Sequence, residues 1–142
     1  MSRGLVLLIV AAAAASAQQS YSPCLLALFD ASDALEIALD ACSTQYEADI
    51  DKFENNPKCR TLYYDAATCD PLVANFNKCG TKAVKLLKAD NTFDEAAFKE
   101  TTLKNKCSAD AKFIAAYPKC KISTMKYFNY HQLLECLIDA EY

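Results

Sequence analysis

Eight cysteines and one histidine are the side chains here with the most chemistry to offer: Cys24, Cys42, Cys59, Cys69, Cys79, Cys107, Cys120, Cys136 and His131. Four of the cysteines follow a lysine, in Lys58-Cys59, Lys78-Cys79, Lys106-Cys107 and Lys119-Cys120. An adjacent ammonium lowers a thiol pKa, so a free Lys-Cys pair would be a candidate nucleophile. The same dipeptide arises where helices end. Lysine is favoured in a last helical turn by the macrodipole, and a cysteine there can staple the helix end to a neighbour. The four sites are 20, 28 and 13 residues apart, so they form no repeat. Three of them fall at or near expected helix breaks, which favours the stapling role. No Cys-x-x-Cys occurs, which argues against a zinc site or a thioredoxin-type redox pair.

A Ser-His-Asp triad or a Cys-His pair would have to use His131. Glu135 lies one helical turn later, on the polar side of the wheel, and the two read as a solvated pair. A single histidine completes no metal-ligand set. No glycine-rich phosphate loop exists, and the carboxylates of 30–54 are spread along a helical surface. The expectation is a non-enzymatic protein with no cofactor and no metal.

The fate of the thiols depends on the compartment. Arg3 precedes an apolar run from Leu5 to Ala15, and Ala15-Ser16-Ala17 is a small-x-small cleavage site. Residues 1–17 read as a secretory signal peptide, too short in its apolar part to span a bilayer at roughly 20 residues. The mature chain, 18–142, fits one disulfide-rich helical domain. All eight cysteines follow the cleavage site, and an even count in an exported chain implies four disulfides with no free thiol. Each closed loop stabilises by roughly 2–4 kcal/mol.

The elements that position these cysteines read as helices. Only two glycines and four prolines occur, whereas hairpin folds need glycine at positive φ. Expected helices cover 24–42, about 44–55, 57–68, 71–89, 93–105, 109–117 and 122–140, an all-α, disulfide-stapled bundle of six or seven helices. Asn56, Asp70 and Ser108 are expected caps, and Thr44–Glu47 and Thr92–Glu95 expected capping boxes. Pro118 is expected to stop its helix. Gly80 falls on an apolar face. It reads preferentially as a point of close helix approach within 71–89, with a terminating cap as the alternative. Phe98 falls off the apolar arc of its helix, as an exposed or groove-lining side chain.

Cys24 and Cys42 share one face of a five-turn helix, about 27 Å apart, far beyond the roughly 7 Å a disulfide allows between Cα atoms. The same reasoning, applied to each intervening helix, predicts that sequence neighbours among the cysteines of 24–79 do not pair.

Residues 24–57 hold eight acidic side chains and one lysine, a balance of −7, against +3 for 58–142. The net acidity and the export signal argue against nucleic acid as a partner. Lys78, Lys82, Lys85 and Lys88 form a stripe along the expected helix 71–89 and are the candidate partner-binding residues. Two functions follow as expectations. The first is a secreted, extracellular scaffold that binds another protein, of effector, toxin or signal type. The second is an extracellular carrier of a small apolar ligand in an inter-helix cavity, lined by Leu25, Phe29, Phe76, Leu87, Leu133 and Leu137.

The intact mass of the secreted protein should correspond to a chain starting at Gln18, with or without cyclisation to pyroglutamate. A mass that retains residues 5–17 would remove the export argument.

Overall fold

Ser22 opens the longest helix of the protein, for which a computed structural model describes residues 21–60 and 64–142. The expected signal segment, 1–17, lies outside the described residues. The Ser22 hydroxyl accepts from the Leu25 N–H at 3.0 Å and Pro23 fills the first turn of α1 (Pro23–Ser43). Cys24, Leu25, Ala27, Leu28, Ala31, Leu35 and Cys42 form its buried face, close to the stripe the wheel predicts. The chain then stays helical through a 3-10 turn, Thr44–Tyr46, into α2 (Glu47–Glu54). Neither α2 nor the turn receives a side-chain cap, so the Thr44–Glu47 capping box does not form.

Residues 57–68 are not one helix. Asn56 caps as expected, accepting from the Lys58 N–H at 3.0 Å, but only a 3-10 turn follows, Pro57–Cys59. Arg60 is extended, and the Asp65 N–H returns to the Lys58 carbonyl at 3.0 Å. Asp65 then caps the single-turn α3 (Ala66–Cys69). The aromatic and β-branched residues after Arg60 favour helix weakly, and Asp65 offers a competing start. Cys59 and Cys69 therefore come within 5.4 Å (Cα–Cα) and pair. This overturns the expectation that no neighbours in 24–79 bond.

The other disulfides run Cys24–Cys107, Cys42–Cys79 and Cys120–Cys136. Thus the two α1 cysteines do tie opposite ends of that helix to different segments. No cysteine is free. Of the Lys-Cys pairs, Lys78-Cys79 lies within a helix as expected, and Lys119-Cys120, expected just past a break, lies within one too.

A 3-10 turn, Asp70–Val73, leads into α4 (Ala74–Ala83), which ends well short of residue 89. The Lys85 N–H bonds the Lys82 carbonyl and the Leu86 N–H bonds the Thr81 carbonyl, a Schellman closure with Lys85 at φ 61°. Glycine is the common residue there, so the sequence carries no stop signal. Gly80 is instead the close-approach point. A Cβ on it would meet Leu39 Cδ2 at 2.5 Å and Leu35 Cδ1 at 3.4 Å. The buried face of α4 is Asn77, Gly80 and Thr81, whereas Ala83, expected inside, is exposed.

Asp94, not Thr92, caps α5 (Glu95–Ala97), accepting from the Ala97 N–H at 3.0 Å. A π turn, Phe98–Thr102, continues it. A wheel at 100° per residue misplaces side chains across such a widened turn, and Phe98 is fully buried rather than exposed. The run ends in two consecutive left-handed residues, Lys104 (φ 51°) and Asn105 (φ 57°); asparagine accepts that conformation, whereas for the lysine it costs roughly 1–2 kcal/mol.

Asp110, not Ser108, caps α6 (Ala111–Thr124), and Pro118 sits inside that helix. A mid-helix proline costs about 3 kcal/mol. Here Phe113, Tyr117, Cys120 and Thr124 are buried on one face, and Cys120–Cys136 fastens α6 to the following helix, so packing overrides the break. The expected 122–140 helix is instead the end of α6, a 3-10 turn (Met125–Tyr127) and a separate last helix. Phe128 turns left-handed (φ 56°), and Asn129 caps α7 (Tyr130–Glu141).

Five helices of eight residues or more carry the fold, fewer than the six or seven expected, since α3 and α5 are single turns. Among the described residues there is no strand, only an isolated antiparallel bridge, Leu87–Phe93. α4 and α7 pack on α1, and α6 packs on α7. Leu28, Leu35, Leu86, Phe98, Leu103, Tyr130, Leu133, Leu134 and Leu137 fill the space between them.

Gly80→Leu should destabilise the protein by about 1–3 kcal/mol through overpacking. The loss should shrink in a Leu39→Ala background. Equal losses in the two backgrounds, measured by urea unfolding, would show that α1 and α4 do not meet at Gly80.

Candidate functional site

α6 turns one face to α7 and the other to solvent. The outward positions Ile114, Pro118 and Ile122 recur at i, i+4 and i+8, so they share a side of the helix. Ile114 is 56% exposed and Ile122 80%. Beside this ridge lies a groove of about 540 Å³, whose lining includes Leu103, Phe113, Ile114, Tyr117, Pro118 and Ile122. Pro118 has no N–H, so the Ile114 carbonyl lacks its helical donor on the same side of the chain.

The groove also holds charge. Glu95 accepts from Lys99 at 2.7 Å and from Lys121, and the two ammoniums hold its carboxyl below the usual range. Lys99 Nζ sits 4.4 Å from the centre of the Tyr117 ring. Tyr117 is buried and its hydroxyl has no partner. Burial, and then the Glu95 carboxylate, push that phenol above its ordinary value. An unpartnered buried hydroxyl costs roughly 1–3 kcal/mol. This wall is therefore largely apolar and is edged by two cations sharing one carboxylate.

The expected lysine stripe does not stay together. Lys78 and Lys82 remain one turn apart on α4, where they border a hollow of about 380 Å³ with Tyr46 and Leu87. Lys78 Nζ lies 5.8 Å from the centre of the Phe128 ring. Lys85 stands in the left-handed turn after α4 and Lys88 beyond it, where its N–H bonds the Thr92 carbonyl at 2.8 Å. His131 and Glu135 do pair, 3.2 Å apart and about half exposed. Of the six side chains expected around a central cavity, Phe29 packs edge-on against Tyr21 at 5.9 Å between ring centroids. Leu25, Leu133 and Leu137 are buried in the core, Phe76 lines one surface hollow and Leu87 another.

Two polar clusters escaped the sequence. Asp70, expected as a helix cap, is buried and accepts from Tyr64 Oη and from Asn129 Nδ2 at 2.8 Å. The bond pins the segment after α3 to the start of α7. Burial and the Asp70 carboxylate raise the Tyr64 phenol. Nothing in the local pattern pairs residues 59 positions apart. At the other end of the molecule, Glu141 Oε2 accepts from the Ser22 hydroxyl at 3.2 Å and its second oxygen has no partner. Cys24 and the carboxylates of Asp110 and Glu141 lie within 4.8 Å of one another. The Cys24 sulfur is spent in a disulfide, so the arrangement is a carboxyl pair that favours a shared proton. Burial, and then the Asp110 charge, raise the Glu141 pKa.

The Ile114–Pro118–Ile122 ridge was legible in principle, since the i, i+4, i+8 spacing is in the sequence. It was hidden by ending the helix at Pro118. No family model matches this chain, and no curated protein or solved structure matches it.

Because the folded pKa of Glu141 exceeds its unfolded value, its favourable contribution is complete below the unfolded value, about 4.3. It is lost as pH rises through the folded value. Glu141→Gln should therefore melt near the parent at acidic pH and above it near neutrality. A difference in Tm that is flat across pH would contradict the shared-proton assignment.

Proposed function

We propose that this protein is exported and acts outside the cell as a non-enzymatic helical scaffold that binds another protein through the exposed face of α6. The observation that carries the reading is the ridge of Ile114 and Ile122, with Pro118 between them, beside the groove floored by Tyr117. Burying each isoleucine against a partner is worth about 1.5–3 kcal/mol. Lys99, Lys121 and Glu95 supply the polar edge typical of such a patch. The Cys120–Cys136 disulfide fastens to α7 the helix that presents the ridge. Four disulfides suit an oxidising, extracellular setting, and no described helix is long and apolar enough to cross a membrane.

A second reading has its own support. The groove volume lies within the roughly 300–1,000 Å³ range of small-molecule sites. A carrier would use this groove rather than a central cavity. Native mass spectrometry of protein isolated from its source separates the two, because a carrier retains a small molecule of constant mass.

Ile114→Asp with Ile122→Asp should leave the melting temperature nearly unchanged, since both side chains are exposed. It should abolish capture of a specific protein from the extracellular fluid of the source, followed by direct titration with that protein once purified. Capture of the same proteins by parent and variant would sink the α6 reading.

A further inference from the structure

Among the described residues six large apolar side chains stand exposed. Tyr21 and Tyr142 are two of them, and their rings meet edge-on at 6.5 Å between centroids. The other four fall on two helices, Leu26 and Ile37 on α1 and Ile114 and Ile122 on α6. Ile37 is 72% exposed, so α1 carries an outward apolar side chain as bare as those of the α6 ridge.

The charge around the two pairs is opposite. The carboxylates of α1 are Asp30, Asp33, Glu36 and Asp40, all exposed, and the helix has no basic residue. On a wheel at 100° per residue Asp30, Asp33 and Asp40 fall within about 60° of Ile37, as does Leu26. The ion pairs of the described residues engage none of these four carboxylates. The charged residues of α6 are Lys112, Lys119 and Lys121, and the helix has no acidic residue. Lys121 falls on one side of the Ile114–Ile122 ridge, and Lys112 and Lys119 fall on the other. Lys99 and Lys121 share the one carboxylate of Glu95, so the groove edge keeps a net positive charge.

Two acidic faces repel when brought together, and so do two basic ones, so neither face pairs with its own copy. An acidic face and a basic face, each with bare isoleucine at its centre, fit one another. Contact buries the apolar side chains of both and sets carboxylates beside ammoniums.

We infer that the occupant of the α6 face is the α1 face of a second copy of this chain, so that copies associate head to tail. This rests on α6 being the binding face, as proposed above, and names what it binds. In the capture experiment the retained protein is then this chain itself. A contact that uses a different patch on each copy either closes a ring or continues as an open chain. Two helix faces bury an area at or below the low end of stable interfaces, about 1,200 Å², so the association is weak and reversible.

Sedimentation equilibrium of the secreted protein from about 10 µM to about 1 mM should show an average mass that rises steadily above that of one chain. Raising NaCl from about 50 mM to about 500 mM should weaken the association about fivefold or more, because opposed surface charges are screened. Ile114→Asp with Ile122→Asp should be monomeric, and so should Asp33→Asn with Ile37→Asn and Asp40→Asn. Mixed, the two variants should form a 1:1 dimer that grows no further, since one intact α1 face meets one intact α6 face. That result also shows that both variants are folded. A parent that stays monomeric throughout overturns the proposal, as does association that either variant leaves intact, or a mixture that stays monomeric. If the parent is monomeric and Ile114→Asp with Ile122→Asp still abolishes capture of a different protein, self-association alone fails and the α6 reading stands.

Discussion

The fold depends on one unbroken helix with a cysteine near each end of the same face. Helical geometry keeps Cys24 and Cys42 about 27 Å apart, so each must find its partner elsewhere. Cys24 takes Cys107, 83 residues away, and Cys42 takes Cys79 on α4. With both ends of α1 anchored, its buried face of Leu28, Ala31 and Leu35 becomes the surface on which α4 and α7 assemble. Gly80 lets α4 approach, and α7 in turn carries α6 through Cys120–Cys136. The long loop between Cys24 and Cys107 is the costliest to order in an open chain, so this bond constrains the unfolded state most.

Such stapling changes what the rest of the chain can tolerate. α6 keeps a proline in its middle, and the turns at Lys85, Lys104 and Phe128 hold left-handed conformations without glycine. Each costs free energy that a small domain with four disulfides can absorb. The hydroxyls of Tyr117 and Tyr130 are both buried without partners, a further cost carried by the packed interior. Phe98 stands between the two rings, packed against Tyr117 at 5.9 Å and Tyr130 at 5.7 Å between centroids.

Where the local signal was strong, the sequence could be read directly. Composition excluded hairpins, periodicity found α1 and its buried stripe, and Asn56 capped where expected. In two of the misreadings a rule about local preference met a tertiary contact that outweighed it. Pro118 did not end α6, because Tyr117, Cys120 and Thr124 are held against α7. Lys85 ended α4 without a glycine, and Asp70 left its capping role for Tyr64 and Asn129. Asn129 was a readable cap, but the apolar breadth of 122–140 concealed it. For the candidate site the chemistry was visible as residue types, while the grouping was not: Glu95, Lys99 and Lys121 come from different elements.

By itself the sequence determined the all-helical class, the even cysteine set and the separate partners of Cys24 and Cys42. These follow from backbone geometry and composition, which act over a few residues. Only the tertiary structure decided which cysteines meet, why Cys59 reaches Cys69, which side of α6 stays bare and which hydroxyls are buried without partners. Those outcomes are set by contacts between segments tens of residues apart, where packing and covalent cross-links outweigh the local preferences that a sequence displays.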